Sequence, residues 1–325
     1  MATIKDVAAK AGVTATTVSR VLNNRGYISE ATRAKVMEAM RQLNYQPNEV
    51  ARSLSKQRTD TIGVIVPHIV HPYFAKLISS LEAACAKQKY KMLLCSTKGE
   101  PDKNQEFLEL FAGSRVSGII LCSGKTDVKI LARLAVPIVC IERDAAEGIA
   151  TIHCDNYQGG VLATEHLIAC GCRRLLHFGA VEGLGMPADQ RGAGFRDVCQ
   201  AHGIWHQERT SPFEAYRSMA YYEEIEKALR EEPETDGIFA SSDLIAAQVI
   251  QVCGELQKKI PTEIKLVGYD DTQIAQLTLP QITTIHQPTE EMAELAVHTI
   301  LKNRDGSEEP EDRKLAVSLV KRGTT

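Results

Sequence analysis

The sequence has no apolar run that approaches the roughly 18 consecutive residues needed to cross a bilayer. The amino-terminal stretch MATIKDVAAKAG also lacks the apolar core of a secretory signal peptide. With 44% hydrophobic and 24% charged residues, the composition is that of a globular protein in water. These absences argue against a membrane or secreted protein, and we expect a cytoplasmic location.

The nine cysteines lack the spacing of a metal site. Cys170 and Cys172 are the one close pair, and they lack both the two-residue spacer and the second pair that a zinc site needs. Cys95, Cys122 and Cys140 lie in apolar, strand-like runs, where a thiol packs as a small hydrophobic group. We therefore predict no metal centre and no cofactor.

The small net charge of −3 hides an asymmetry along the chain. Residues 1–58 hold ten Lys or Arg against four Asp or Glu, a net of +6. The remaining residues hold 28 Lys or Arg against 37 Asp or Glu, a net of −9. A basic head on an acidic body indicates that the head alone binds a polyanion, although such an excess is also found on plain solvated surfaces.

The head has the pattern of three short helices. Thr3 and Asp6 fit a capping box, and Gly12 can adopt the left-handed conformation that ends a helix. Thr14 predicts a second N-cap before ATTVSRVL, and a third helix is predicted from near Ser29 to Leu43. In the second and third helices, the residues predicted to face inward are Val18, Val21, Leu22, Val36, Met37, Met40 and Leu43.

Two short helices joined by a Gly-containing turn and closed by a third helix form a helix-turn-helix arrangement. The outward residues of the second helix are hydroxyls, an Arg and an Asn. These side chains donate to phosphates and base edges, and Arg chiefly to guanine. Ordinary solvent-facing polar residues would give the same pattern, so the basic charge of the head is what favours DNA.

From residue 61 onward, apolar strand-like runs alternate with helical patterns. The runs are mostly continuous rather than alternating, as is typical of parallel strands covered on both faces. This order predicts an α/β architecture with doubly wound sheets, in two lobes because the body exceeds 260 residues. The predicted strands are 61–67, 91–97, 116–124, 137–143, 174–180, 236–243, 265–271 and 282–287.

Ligands in such folds bind at the carboxyl ends of the strands. The residues found there are aromatic rings, carboxylates and guanidinium groups, which suit a polyhydroxylated ligand. They lie at 68–74, 142–144, 155–156, 190–191 and 243. Any one of them could instead be structural, and Asp155 and Asp271 in particular could cap helices or bridge the lobes.

The stretches TIKDVAAKAGVTATTVSRVLNN and NEVARSLSKQRTDTIGVIVP resemble the LacI/GalR (lactose/galactose repressor) family of bacterial transcriptional regulators. The resemblance covers nearly the whole chain. It implies an all-α helix-turn-helix DNA-binding domain (1–46), a hinge helix or linker (47–59), and an effector-binding and dimerisation domain (60–325). The last domain would have the periplasmic-binding-protein-like (type I) fold, with an N-lobe of about 60–156 plus 286–311 and a C-lobe of about 157–285 plus 312–325.

The resemblance also implies which residues bind DNA. Thr16, Thr17 and Arg20 would read the major groove, and Leu54 of the hinge helix would wedge between bases in the minor groove and bend the operator. Ala15 is smaller than the residue relatives often carry, which leaves the half-site preference open; a basic linker with one stray leucine is the alternative for the hinge. The full DNA-binding set is Thr16, Thr17, Ser19, Arg20, Asn23, Tyr45, Ala51, Leu54 and Ser55.

The effector site implied by the resemblance lies in a cleft between the lobes. Arg191 and Asp243 are its strongest members, Glu142 and Gln287 are weaker ones, and Met186 is left open. The full predicted set is Tyr73, Phe74, Arg143, Arg191, Phe213 and Asp243.

These patterns predict a repressor of carbohydrate-utilisation genes that binds pseudo-palindromic operator DNA as a homodimer, without a tetramer-forming leucine-heptad tail. A small sugar or sugar phosphate would control its DNA affinity, either as inducer or as corepressor. One alternative is a global regulator whose effector is a phosphorylated carrier protein; another is a sugar-processing enzyme or a free sugar-binding protein. Enzyme motifs are weak, because the Gly179–Gly185 segment departs from a dinucleotide fingerprint and adjacent Asp270 and Asp271 point to different sides.

The hinge interpretation leads to a first prediction. Leu54→Ala should weaken specific operator binding by about tenfold or more, because the apolar wedge that holds the bent DNA is lost. Sugar binding by residues 60–325 should be unchanged. Fluorescence anisotropy on operator DNA measures the first quantity and calorimetry the second. Equal operator affinity in the variant would refute the wedge.

Overall fold

The structure is a computed structural model, and it divides the chain into two compact units, Met1–Thr59 and Asp60–Thr325. The predicted hinge residues Ala51, Leu54 and Ser55 lie outside the described residues. The described residues are 2–23, 25–46, 59–100, 102–123, 131, 134, 136–144, 148–303 and 311–325.

The first unit contains the three predicted helices, α1 (Ile4–Ala11), α2 (Ala15–Leu22) and α3 (Glu30–Gln42). The capping box is present, since the Thr3 hydroxyl accepts from the Asp6 amide and the Asp6 carboxylate accepts from the Thr3 amide. Gly12 ends α1 in the left-handed region at φ 65°. Thr14 and Ser29 cap the following helices, so the local helix signals are confirmed.

A small apolar core joins these helices through Val7, Val18, Val21 and Val36, with Leu22, Met40 and Leu43 partly buried against it. The prediction that Met37 faces inward is wrong, because its surface is 51% exposed. The buried stripe of α3 runs at helical spacing through Val36, Ala39 and Leu43. Met37 is one residue, about 100° of rotation, away from Val36 and therefore leaves the stripe.

The N-lobe of the second unit is built on a sheet whose strands run in the order β11-β5-β4-β3-β1-β2, all parallel. Helices α4 (Pro72–Lys87) and α12 (Thr289–Lys302) pack on one face around Leu77 and Ile300. Helix α5 (Lys103–Ser114) covers the other face through Phe111. The strands are β1 (Thr61–Val66), β2 (Lys91–Ser96), β3 (Gly118–Leu121), β4 (Ile138–Ile141), β5 (Ala150–Cys154) and β11 (Arg313–Leu315).

The C-lobe sheet has the order β12-β10-β9-β8-β6-β7, with β12 antiparallel to β10 and the other neighbours parallel. Its strands are β6 (Arg174–Val181), β7 (Trp205–Ser211), β8 (Gly237–Ala240), β9 (Lys265–Asp270), β10 (Thr283–His286) and β12 (Ser318–Val320). Helices α6 (Asn156–Ala169) and α7 (Gln190–Ala201) cover one face. The other face carries α8 (Phe213–Ser218), α9 (Tyr222–Glu231), α10 (Asp243–Glu255) and α11 (Gln273–Leu277).

The chain passes between the lobes three times: after β5, after β10 and between β11 and β12. The first and third passages lie side by side, since the Asp155 amide donates to the Leu315 carbonyl at 2.8 Å. The sequence assigned residues 312–325 to the C-lobe, whereas residues 313–315 pair with β5 in the N-lobe sheet. The apolar signal of this short strand is too weak to locate the passage from sequence.

The predicted two-lobed α/β architecture is confirmed. Strands β5, β7, β11 and β12 are absent from the predicted set; β7, with the sequence WHQERTS, is an edge strand and carries few apolar residues, and β11 and β12 have only three residues each. Cys95, Cys122 and Cys140 are buried, as predicted. No helix among the described residues is long and apolar enough to cross a membrane.

Candidate functional site

The candidate DNA-reading surface lies on α2. Thr16 and Arg20 are exposed four residues apart, and so share one face of the helix. Thr17 and Ser19 are half-buried; the Thr17 hydroxyl lies 2.9 Å from that of Thr14. The side-chain Nδ2 of Asn23 donates to the Ser19 carbonyl at 2.8 Å, so one of its hydrogen-bond donors is used to close the end of the helix. Arg20 and Thr16 are therefore the most accessible of the predicted groups that the structure describes.

Two tyrosines of the first unit differ in how far their side chains are exposed. The predicted contact Tyr45 is half-buried against the core of the first unit. Tyr27 was not predicted, yet its side chain is 99% exposed, directly after Arg25 and Gly26 in the loop that follows α2. Its position in a Gly-containing loop beside the second helix is the signal that sequence reasoning could have used.

A cavity of about 110 Å³ lies where the carboxyl ends of the two sheets face each other. Its N-lobe wall includes Tyr73 and Phe74 of α4, and Glu142 and Arg143 directly after β4. The C-lobe contributes the carboxyl ends of β6 and β9 and residues that follow β6 and β8, together with the first turn of α7. Gln287, at the second passage between the lobes, also lines it.

Arg191 is the central side chain of the cavity, and only 6% of it is exposed. Its Nε donates to Asn156 Oδ1 at 2.8 Å and its NH1 to the Ser241 carbonyl at 2.7 Å. The guanidinium carbon lies 3.6 Å from the centroid of the Tyr269 ring. Burial alone would lower the pKa of Arg191, but Tyr269 and the carboxylates of Asp270 and Glu142 raise it, so the group keeps its charge.

Glycines place Arg191 there. A Cβ on Gly160 of α6 would lie 2.1 Å from the Arg191 carbonyl oxygen, and a Cβ on Gly194 of α7 would lie 2.3 Å from the Tyr157 carbonyl oxygen. The backbones of α6 and α7 can approach this closely only because neither position carries a side chain. The contact sets the guanidinium against Asn156 and the Tyr269 ring.

Glu142 extends this network into the N-lobe. Its Oε2 accepts from Asn156 Nδ2 at 2.8 Å, and its other oxygen accepts from the Cys154 amide. Asn156 thus accepts from Arg191 and donates to Glu142, and a continuous chain of hydrogen bonds joins the strand ends of the two lobes. A change in the angle between the lobes must alter this chain.

Asp270 completes the polar wall. Its Oδ1 accepts from Gln287 Nε2 at 2.6 Å and lies 4.0 Å from Arg191 NH1. Burial raises the pKa of Asp270 well above its usual range, although the charges of Arg191 and Lys76 oppose the shift. The carboxyl oxygens of Asp270 are hydrogen-bond acceptors, which suits the hydroxyl donors of a ligand.

Two buried polar atoms in the cavity wall have no hydrogen-bond partner among the described residues: the Tyr73 hydroxyl and Gln287 Oε1. Buried polar groups are normally paired, and an unpaired one costs about 1–3 kcal/mol. A bound molecule that carries both donors and acceptors would satisfy them. A polyol has this property, and an apolar ligand does not.

Aromatic rings form the remaining wall. Phe74, Tyr216 and Tyr221 line the cavity, and the nearby charge of Arg143 opposes the rise that burial causes in the pKa of Tyr216. His71 caps α4 by accepting from the Tyr73 amide at 3.3 Å, and burial lowers its pKa to about 4, so it is neutral at pH 7. Flat rings beside hydroxyl-binding groups can contact the C–H face of a sugar.

The structure therefore brings together four of the six predicted effector residues: Tyr73, Phe74, Arg143 and Arg191. The weaker candidates Glu142 and Gln287 and the undecided Met186 line the cavity as well. Phe213 lies behind the wall, with its ring centroid 6.2 Å from that of Tyr216. It is placed against a cavity residue rather than in the cavity wall.

Asp243 also departs from the prediction, since it is 0% exposed and does not line the cavity. Its Oδ2 accepts from the Thr272 amide and hydroxyl at 2.7 and 2.9 Å, and its Oδ1 accepts from the Thr284 hydroxyl at 2.6 Å. Burial raises its pKa to about 6, and these hydrogen bonds oppose the rise. The carboxylate joins α10 to Thr272, which precedes α11, and to Thr284 of β10, and so has a structural role.

The cavity residues missed by the sequence include Asp270, Tyr216, Tyr221, Ser241 and Ser242. Asp270 lies one residue before the end of the predicted strand 265–271 and could have been found by the same rule that selected Asp243. No group of three or more possible metal ligands occurs among the described residues.

The placement of Asp243 leads to a second prediction. Asp243→Ala should lower the free energy of unfolding of the second unit by about 2–4 kcal/mol, because buried donors of Thr272 and Thr284 lose their acceptor. Trp205, the one tryptophan of the chain, lies in β7 and reports unfolding in urea by its fluorescence. An unchanged unfolding midpoint combined with lost ligand binding would contradict the structural role.

The comparisons with known proteins agree with this geometry. The profile of bacterial regulatory proteins, lacI family, matches residues 3–48, and that of a periplasmic binding protein-like domain matches residues 164–325. The sucrose operon repressor of Streptococcus mutans is 35% identical over 320 residues, which cover 98% of each chain.

Two solved structures have the same architecture. A periplasmic binding protein/LacI transcriptional regulator from Alkaliphilus metalliredigens, complexed with D-xylulofuranose, is 31% identical with a TM-score of 0.76, over 82% of this chain and 99% of that one. The lac repressor dimer bound to operator and the anti-inducer ONPF is 26% identical with a TM-score of 0.87, over 100% and 99% of the chains. The chain belongs to the lacI family of bacterial regulatory proteins.

Proposed function

We propose that this chain is a sequence-specific transcriptional repressor of carbohydrate-utilisation genes whose affinity for operator DNA is set by a small sugar. The sugar, or a sugar phosphate, binds in the cavity between the lobes and releases the repressor from DNA. The protein acts as a homodimer on a pseudo-palindromic operator in the cytoplasm and catalyses no reaction.

The observation that carries this proposal is the chemistry of the cavity wall. Arg191 supplies charged donors, and the carboxyl groups of Glu142 and Asp270 supply acceptors; all three side chains are already oriented by other residues. The unpaired Tyr73 hydroxyl and Gln287 Oε1 call for a ligand that both donates and accepts. The aromatic side of the cavity suits the C–H face of a sugar ring.

The DNA-binding part of the proposal is supported by α2, which exposes an Arg and a Thr on one face of a basic helical unit. Arg20 would donate to guanine, and Thr16 would contact a base edge or a phosphate. The relatives support the same pairing of functions, since one is named for a sucrose operon and one was solved with D-xylulofuranose.

Control follows from linkage between the two sites. The network Glu142–Asn156–Arg191 joins the lobes, so a sugar that replaces part of it favours one angle between them. If the operator favours another angle, the sugar weakens DNA binding by the ratio of its affinities for the two states. A typical coupling of about 1–3 kcal/mol corresponds to a 5- to 150-fold change in affinity.

The alternative effector, a phosphorylated carrier protein, would leave the cavity without a role. A regulator that no longer bound a small molecule would not need to bury an arginine and two carboxyl groups there, because burying such groups is costly. The intact cavity therefore favours the sugar.

The third prediction tests this function directly. Fluorescence anisotropy of the full-length protein on its own upstream DNA, at fixed salt, is followed while sucrose, D-xylulose, other sugars and sugar phosphates are added. At least one compound should weaken DNA binding by about tenfold or more. Tighter binding would identify a corepressor, and no response to any compound would contradict sugar control.

Arg143→Met provides the matched loss of function in this titration. Arg143 lines the cavity, so the variant should keep its DNA affinity and lose most of the response to the active sugar. Arg196→Met is the control, because Arg196 pairs with Glu208 on the surface, with Nε 2.7 Å from Oε1. It should respond to the sugar as the wild type does.

A further inference from the structure

The corner that ends β9 has an unusual backbone. Asp270 and Asp271 both have positive φ, at 107° and 50°, although neither is glycine. Non-glycine residues rarely adopt this conformation, and it persists only where the surrounding structure holds it. This corner is also the segment that presents the Asp270 carboxyl group to the cavity.

C-lobe residues hold the side chain of Asp271. Arg322 NH2 lies 2.5 Å from its Oδ1, and His286 Nδ1 lies 2.9 Å from its Oδ2. These contacts fix the outer half of the corner to β10 and to the carboxyl-terminal segment. They leave the two backbone carbonyls of the corner available to a donor from elsewhere.

The N-lobe supplies that donor. Lys76 of α4 lies 194 residues before Asp270 in sequence, yet its ammonium group donates to the Asp270 carbonyl at 3.3 Å and to the Asp271 carbonyl at 2.9 Å. Hydrogen bonds from a charged donor are stronger than those between neutral groups. Lys76 is half-buried and lies outside the cavity wall, so it has no direct contact with a molecule in the cavity.

We propose that Lys76 is a positioning residue for the effector, acting through the Asp270–Asp271 corner. Its ammonium group binds both carbonyls and so holds the backbone of Asp270 and Asp271 at positive φ. This backbone conformation turns the Asp270 carboxyl group into the cavity. The residue thus makes the C-lobe half of the site depend on the N-lobe. The proposal rests on the proposed function for its consequence, and its geometry can be tested separately.

Hydrogen exchange of the full-length protein tests the geometry without any sugar. The Thr272 amide donates to Asp243 at 2.7 Å directly after the corner, and so reports on its opening. In Lys76→Met, amides in the segment 269–273 should exchange about tenfold faster than in the wild type. Peptides elsewhere in the second unit should exchange as before.

Two further variants make this result specific. Lys87 lies on the same helix as Lys76 and pairs with Glu294 at 2.8 Å, and the side chains of Lys87 and Glu294 are both largely exposed. Lys87→Met removes this pair and should leave amide exchange in the segment 269–273 unchanged. Lys76→Arg keeps a charged donor and should restore most of the slow exchange. Unchanged exchange in Lys76→Met, or equal acceleration across the whole unit, would overturn the proposal.

Sucrose and D-xylulose serve as probes in a second arm. A probe that binds the wild type should bind Lys76→Met about tenfold more weakly. Operator affinity without sugar should be the same in both proteins. Unaltered sugar affinity would overturn the positioning role. A change in operator affinity alongside the change in sugar affinity would also overturn it, because Lys76 would then act on the equilibrium between lobe angles. If neither sugar binds the wild type, the exchange result still decides the proposal, and the failure falls on the proposed function.

Discussion

The structure of the second unit depends on one constraint, the burial of the Arg191 guanidinium at the junction of the lobes. A buried charge is tolerated only when it is paired and hydrogen-bonded. Asn156, the Ser241 carbonyl, Asp270 and the Tyr269 ring meet that requirement from α6, β8 and β9. The close contact of α6 with α7 at Gly160 and Gly194 is what makes these distances possible. The group is therefore charged, rigid and directed at the cavity before any ligand arrives, which lowers the entropic cost of binding.

The same constraint links the cavity to the movement of the lobes. Asn156 lies at the first passage between the lobes and Gln287 at the second, and each bonds to a carboxyl group of the cavity wall. A ligand that takes over hydrogen bonds from Arg191, Glu142 or Asp270 therefore acts where the chain must bend. The proposed reading residues Thr16 and Arg20 are exposed on the basic helix-turn-helix unit. Control of DNA binding then requires only that sugar and operator favour different lobe angles.

Much of this arrangement could be predicted from the sequence, and the failures have physical causes. Caps at Thr3, Thr14 and Ser29 act over three residues, so the first helices follow from local chemistry. Continuous apolar runs identified most of the parallel strands, whereas the polar edge strand β7 carries no such signal.

The binding residues were harder to predict, because a position after a strand locates a residue at the right edge of the sheet without saying where its side chain points. Asp243 and Asp270 both lie at such ends, yet Asp243 turns toward Thr272 and Thr284, and Asp270 faces the cavity. The left-handed backbone at Asp270 makes the difference, and it depends on contacts from residues far away in sequence, such as Lys76.

The most direct test of the whole account is the reciprocity of the two sites, measured as the calorimetric affinity of the active sugar with and without saturating operator DNA. The account predicts that operator weakens sugar binding by the same factor by which the sugar weakens operator binding. A sugar affinity that operator leaves unchanged would contradict it.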